Sequence, residues 1–213
     1  MKNKKNVLSC LIIILAGVIY FPVHAQQKNG AQNVVYQLDI KKSKLFWKAP
    51  KNQHNGFILF NSGTLSNFID GRPTRGTFSI NMNSMRSIDK PKADERKTVD
   101  DKLRSEGFFA VLKYPTATML VKQILLEKNT ATYKVSGELT IKGVTKSIEF
   151  TTIMKQNGNT IIATANTNIS REKWNINHQP QPPVWDFVAR MQDKLVDDDI
   201  PVSLELVFTK KQL

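Results

Sequence analysis

Few side chains in this chain of 213 residues are of a kind that does covalent or metal chemistry: three histidines and one cysteine. Cys10 and His24 fall in a leader-like N-terminus, which leaves His54 and His178. Two imidazoles and no thiol do not make the His/Cys sets that hold zinc, and a cysteine nucleophile is excluded. A Ser-His-Asp triad survives the count, but no G-x-S-x-G elbow is present. His178 stands beside the Pro-rich stretch Gln179 to Pro183 and reads as polar surface. His54, in Asn52-Gln53-His54-Asn55-Gly56, reads as a turn or barrel-rim residue. Neighbouring carboxylates occur at Asp100-Asp101 and Asp197-Asp198-Asp199. Such pairs do acid–base work or hold Ca²⁺, but their spacing fits no EF-hand loop and solvated loops are their usual place. Lys41, Lys42, Lys44, Lys48 and Lys51 surround Phe46-Trp47 and offer contacts to a phosphate backbone. Strand alternation puts Lys44, Phe46 and Lys48 on one face and Leu45 and Trp47 on the other, so a wet outer face accounts for the lysines equally well. No Gly-rich phosphate loop is present. The reading is no metal, no cofactor and no nucleic acid.

What the chain offers instead is apolar bulk. Trp47, Phe57, Phe60, Phe78, Phe108, Phe109, Phe150 and Trp174 are spread over many segments. Side chains of this kind either pack a solid core, the ordinary outcome, or line an apolar cavity.

The elements that must position them repeat with period two. Phe78, Ile80 and Met82 alternate with small polar residues, which describes a half-buried strand. Tyr133, Val135, Gly137, Leu139 and Ile141 share a face, Val144, Lys146, Ile148 and Phe150 repeat the theme, and the two segments form a hairpin turning near Lys142-Gly143. Ala117 to Val121, Ile161 to Ala165 and Val202 to Phe208 add strands, as do Leu38 to Ile40, Leu45 to Trp47 and Phe57 to Leu65 near the start. Two stretches read as helix. Lys92 to Ser105 has Val99 and Leu103 four apart, with Thr98-x-x-Asp101 as a capping signal. Val184 to Leu195 has apolar residues at helical spacing. The class is all-β, a sandwich or closed barrel of about eight antiparallel strands with one or two short helical insertions.

Lysines outnumber acids: Lys+Arg is 31 against 18 for Asp+Glu. Lys2, Lys4 and Lys5 precede an apolar run from Val7 to Tyr20, and Val23-His24-Ala25 presents small or aliphatic residues where a signal peptidase reads. The run is shorter than the roughly 20 residues a spanning helix needs. Cys10 precedes most of the run, which argues against a lipoprotein signal. Residues 1–25 are therefore expected to be a signal peptide cleaved after Ala25, followed by a flexible segment over 26–33 and one domain over 34–213. Cleavage removes three lysines and the only cysteine, lowering the formal charge from +13 to +10. The exported chain then folds without disulfides, by burying its core.

Several motifs resemble a known family. Tyr36-Gln37-Leu38-Asp39, Ser43 to Trp47, His54-Asn55-Gly56 and Gly63-Thr64-Leu65 resemble the start of the YceI-like family of exported lipid-binding proteins. Asp100 to Phe109 and Lys113-Tyr114-Pro115-Thr116-Ala117-Thr118 resemble its D-x-x-L-x-S-x-x-F and K-Y-P-x-A-x-F segments. Gly137 to Lys146 resembles its G-x-L-T-x-x-G-V-T-K hairpin, the most specific stretch, and Ile169 to Ile176 its R-x-x-F/W turn. The likeness covers about residues 34–209. It implies an antiparallel lipocalin-like barrel, without catalysis, whose apolar interior holds an isoprenoid or other long-chain amphiphile in the periplasm or outside the cell. Two departures bear on the ligand: Met119 stands where the family usually has an aromatic, and the Pro-rich loop with residues 184–195 is longer than in the simplest members.

With that resemblance, Trp47, Phe78, Ile80, Val135, Leu139, Ile148 and Phe150 are expected to contact the ligand. A passing membrane-surface contact and a homodimer stay open. The alternatives are a solid-core interaction module, marked by an interior without a cavity, and a lipid-modifying enzyme, marked by a histidine beside a carboxylate inside the cavity.

Overall fold

The structure, a computed structural model, describes residues 34–49, 54–128, 130–176, 185, 187–188 and 199–211. The period-two segments form strands because β-branched and aromatic residues at alternate positions fit a pleated surface with one dry face. In chain order they are β1 (Tyr36–Leu38), β2 (Lys44–Ala49), β3 (His54–Ile69), β4 (Arg72–Ser87), β5 (Thr116–Leu126), β6 (Thr132–Ile141), β7 (Val144–Asn157), β8 (Thr160–Ser170) and β9 (Asp199–Lys210), with helix α1 (Ala93–Arg104) between β4 and β5. From β2 onward each strand pairs antiparallel with its successor, and β9 pairs back onto β2. β1 lies between the same two neighbours, β3 and β9, as β2 does. β1 and β2 are thus halves of one stave, and the sheet is an eight-staved, lipocalin-like antiparallel barrel rather than a sandwich.

The split stave has a local cause. The Asp39 carboxylate accepts the N–H groups of Lys41 (3.1 Å) and Lys42 (3.3 Å), which turns the chain out of the ladder. Strand alternation carried β1 on to Ile40. The structure ends it at Leu38 and leaves Ile40 exposed, because that side-chain capture competes with pairing. Opposite the break, β9 needs other partners for Val207. Its carbonyl accepts Asp39 N–H at 2.8 Å, and its N–H donates to the fully buried Ser43 Oγ at 3.0 Å.

The β6–β7 turn falls at Lys142-Gly143, as the sequence indicates. Both residues have left-handed φ, 55° and 75°, as a two-residue primed turn demands. A side chain at Gly143 would also meet the Tyr114 ring, 2.9 Å from the Cβ position.

α1 matches the expected span but not the expected cap. It begins at Ala93 rather than at Thr98, and Thr98 sits inside it with its hydroxyl bonded back to the Asp94 carbonyl at 3.1 Å. Asp94 and Glu95 in the first turn and Lys102 and Arg104 in the last complement the helix dipole, which stands in for a side-chain cap. Asp100 is not a solvated acid either. It is 4% exposed, accepts Ser87 N–H at 2.6 Å, and lies 3.6 Å from Arg86 and 3.9 Å from Arg104, tying the helix to the end of β4. Asp101 is exposed and pairs with Lys97. Of the second helical segment Trp185, Phe187 and Val188 are described, all exposed, and of these Phe187 and Val188 are helical; its other residues lie outside the described residues, with His178, Lys51, Asp197, Asp198 and the leader.

Replacing Ser43 with Ala leaves the part-buried Val207 N–H without its partner. The expected cost is about 1–3 kcal/mol, read as a lower urea midpoint with an unchanged slope.

Candidate functional site

Alternation along the staves sends one side chain in two into the barrel, and the inward set does not fill it. The interior holds a cavity of about 520 Å³. Trp47, Phe78, Ile80, Val135, Leu139, Ile148 and Phe150, the seven residues singled out from the sequence, all line it. Of the other large aromatics, Phe60, Phe108 and Phe109 also line it. Phe57 lies on the outer face, with the Lys44 ammonium 5.2 Å from its ring centre. Trp174 is buried and donates from Nε1 to the Leu139 carbonyl at 3.0 Å, so it packs the upper wall rather than the lining.

Two glycines make room for the largest lining side chains. Gly56 is the cross-strand partner of Trp47 and Gly63 that of Phe78. A Cβ at Gly56 would fall 2.5 Å from the Trp47 ring, and one at Gly63 2.7 Å from the Phe78 ring. The rings therefore lie flat against bare backbone, a packing known to support glycine in sheets.

The two ends of the barrel differ. The start of β3, the end of β4 with α1, the β6–β7 turn and the end of β8 form the upper rim; Asp70-Gly71, Gly158-Asn159 and the start of β1 form the lower one. Below the cavity floor Tyr36 stacks on Phe68 at 5.2 Å, and Tyr36 Oη accepts a hydrogen bond from Gln156 at 3.1 Å. Around the upper rim the lining turns polar, with Lys48, His54, Thr98, Lys102, Arg171 and Asp199. Deeper in, the polar lining reduces to Thr167 and Thr152, and the Thr152 hydroxyl is used by the Thr164 carbonyl at 2.9 Å. The site is thus an apolar sleeve with a charged collar at one end.

The helical part of this lining, Val99 and Leu103 with Lys102 between them, was not assigned to the site from the sequence. Their four-residue spacing reports a buried face but not what that face covers. Met82, Met85, Met119 and Met154 also line the cavity, beyond the residues the sequence points to. Met119, where an aromatic is usual, points into the cavity with its methyl group close to Gly137.

His54 opens β3 at the collar and its Nδ1 lies 2.8 Å from Asp89 Oδ2, while Asp89 Oδ1 accepts Asn55 N–H at 3.1 Å. Burial works to raise the Asp89 pKa, but the hydrogen bonds from His54 and Asn55 outweigh it and hold the carboxyl below its ordinary value. A histidine oriented by a carboxylate is half of a base-catalytic arrangement. Among the described residues no hydrogen bond joins His54 to a hydroxyl of the lining. Among the described residues no group of three or more His, Cys, Asp or Glu is placed to hold a metal, and no helix is long and apolar enough to cross a membrane.

The sequence matches the YceI-like domain over residues 36–208, nearly the whole of the barrel. The chain belongs to the YceI-like family. Among solved structures it is similar to BcnA of Burkholderia cenocepacia, with a TM-score of 0.60 and 22% identity over 80% of this chain and 98% of that one. It is also similar to a polyisoprenoid-binding domain from Saccharophagus degradans implicated in plant cell wall breakdown, with a TM-score of 0.59 and 17% identity over 84% of this chain and 100% of that one. A mutant of the Campylobacter jejuni YceI protein aligns with a TM-score of 0.53 and 21% identity over 72% of this chain and 84% of that one. At these identities the likeness establishes the barrel. No curated protein matches the sequence.

In this YceI-like chain the lowered Asp89 pKa has a thermodynamic consequence. The carboxylate's contribution to stability is whole above the ordinary carboxyl pKa of 3.8 and is lost as the pH falls through the lowered folded value. Asp89→Asn is therefore expected to be less stable than the native protein near neutrality, with the gap closing on acidification below about pH 4. Urea midpoints measured against pH test this, and a gap independent of pH contradicts it.

Proposed function

We propose that this protein is an exported, non-catalytic carrier or sequestering protein for an isoprenoid or other long-chain amphiphile, which it holds by its tail inside the barrel. The observation that carries the reading is the cavity: apolar along its length, sealed at the lower rim and collared by charge at the upper one. Its volume falls within the range of small-molecule sites. A saturated metabolite with several polar groups would leave them unpaired against such walls, whereas an alkyl or prenyl tail needs no partner there.

Energetics favour a long tail. A buried methylene contributes roughly 0.8 kcal/mol, so an isoprene unit offers on the order of 3–4 kcal/mol. Two or three units nominally reach the ~8 kcal/mol of micromolar binding, but the freedom lost on association takes several kcal/mol back. The collar lysines then meet the polar head at the water boundary. Support for export comes from the leader-like residues 1–25, and support for a prenyl ligand from the polyisoprenoid-binding relative of the same fold. A passing contact with a membrane surface follows from cargo of this kind, since free prenyl lipid is scarcely soluble.

A solid-core module would have no such cavity. A lipid-modifying enzyme draws its support from His54 beside Asp89 at the collar; among the described residues the partner recorded for that histidine is the carboxylate and not a nucleophile.

Replacing Phe78 and Phe150 with Glu puts two carboxylates against the tail. Affinity for a fluorescent geranylgeraniol is expected to fall at least about a hundredfold while circular dichroism shows the sheet intact. If the double variant does not fold, Ala163→Phe, which fills the cavity from an inward position, is expected to have the same effect on binding. Full affinity in either folded variant contradicts the assignment.

A further inference from the structure

Two seams of the barrel are only part-laddered: β4–β5 pairs from Asn81↔Thr116 to Gly76↔Val121 and stops short of the lower rim, whereas β7–β8 stops short of the upper one, beside the charged collar. β7 pairs with β6 along its length from Val144 to Ile153, and β8 pairs with β9 from Thr160 to Ser170. Between β7 and β8 the ladder runs only from Asn157↔Thr160 to Thr152↔Ala165 and stops. Continued in register it would join Phe150 to Thr167 and Ile148 to Ile169, but among the described residues no strand pairs with that side of residues 144–151 or of 166–170.

Among the described residues, the side chains beside the break turn to the outer neighbours. Glu149 turns to Lys134 on β6 (2.8 Å), and Asn166 turns to Ser203 on β9 (2.8 Å). By contrast the neighbouring β6–β7 seam carries Thr140 bonded to Thr145 at 2.8 Å as well as a full ladder. At the top, residues 171–176 cross from β8 to the β6–β7 hairpin, where Trp174 Nε1 bonds Leu139 and Lys142 Nζ bonds the Asn175 carbonyl at 2.9 Å. The break is therefore a framed window in the wall. Its inward edges are Ile148, Phe150, Thr167 and Ile169, all of which line the cavity.

We propose that this β7–β8 window is the route by which the long-chain ligand passes into and out of the barrel, sideways through the wall, with its head left at the collar. The inference rests on the carrier reading. The lower rim is sealed by stacked aromatics, and passage along the axis at the upper rim drags an apolar tail past Lys48, Lys102, Arg171 and Asp199 under the α1 face. The window has apolar edges instead, and widening it breaks no ladder hydrogen bond, since none is made there. A ligand that loads tail-sideways can also move from a bilayer without its whole tail crossing water.

The test is a staple across the window. In a Cys10→Ser background, Glu149→Cys with Asn168→Cys is cross-linked by a short bis-maleimide, and Thr140→Cys with Thr145→Cys, on the intact seam, serves as the control. Loading and release of a dansyl-labelled geranylgeraniol are followed by stopped flow. The window staple is expected to slow both by at least about tenfold, and the control staple to leave both unchanged. Unchanged rates in the window-stapled protein overturn the route, while binding itself upholds the carrier reading. If the unstapled protein takes up no prenyl probe, it is the carrier reading that falls, and the route with it. Should the stapled variant misfold, hydrogen exchange on the native chain decides: protection at the seam is expected to end at Thr152 and Ala165, and slow exchange continuing through every amide of 144–151 overturns the window.

Discussion

The ladder that β9 makes with the split stave turns a meander of strands into a barrel. Without it β2 and β9 would both be edges, with unpaired backbone groups open to other chains. Because a loop interrupts this stave, closure depends on a substitute for the missing pairing, and the Ser43 hydroxyl with the Asp39 N–H provides it at Val207. Once the ring is closed, alternation along each stave decides what faces inward, and eight staves leave an interior that inward side chains either fill or leave room within.

In this protein they leave room, and the packing shows how. Glycines stand opposite Trp47 and Phe78, so these lining rings lie against bare backbone of the wall. Aromatic packing is concentrated at the lower end, where Tyr36 and Phe68 stack and Phe208 meets Phe78 edge-on at 6.0 Å. An empty apolar space forfeits dispersion contacts on every wall, and a tail of matching shape restores them. Ligand and fold are then thermodynamically linked, since a ligand that binds only the closed barrel stabilises it.

Local pattern carried much of this. Alternation at Phe78, Ile80 and Met82 and along Val135 to Ile141 identified the inward face, the Lys142-Gly143 dipeptide marked its turn, and the motifs around Asp100 and Gly137 pointed to the family. The seven lining residues are inward because period two admits only two choices and one of them is wet. What local pattern did not carry depends on distant partners. Asp100 is buried because β4 presents Ser87 N–H and Arg86 to it, contacts that the spacing within α1 does not encode. The break after Leu38 turns on a competition between the Asp39 carboxylate and the ladder. The β7–β8 window depends on where the two arms of one hairpin cease to pair, far from their turn, and neither strand's alternation changes there.

The central claim is that the barrel interior exists to hold a lipid tail. Native mass spectrometry of the protein purified from its own envelope, with organic extraction and identification of what is released, tests it most directly. The account predicts a stoichiometric adduct that proves to be a long-chain amphiphile. A clean apo mass from a protein that also takes up no prenyl lipid when offered one would contradict it.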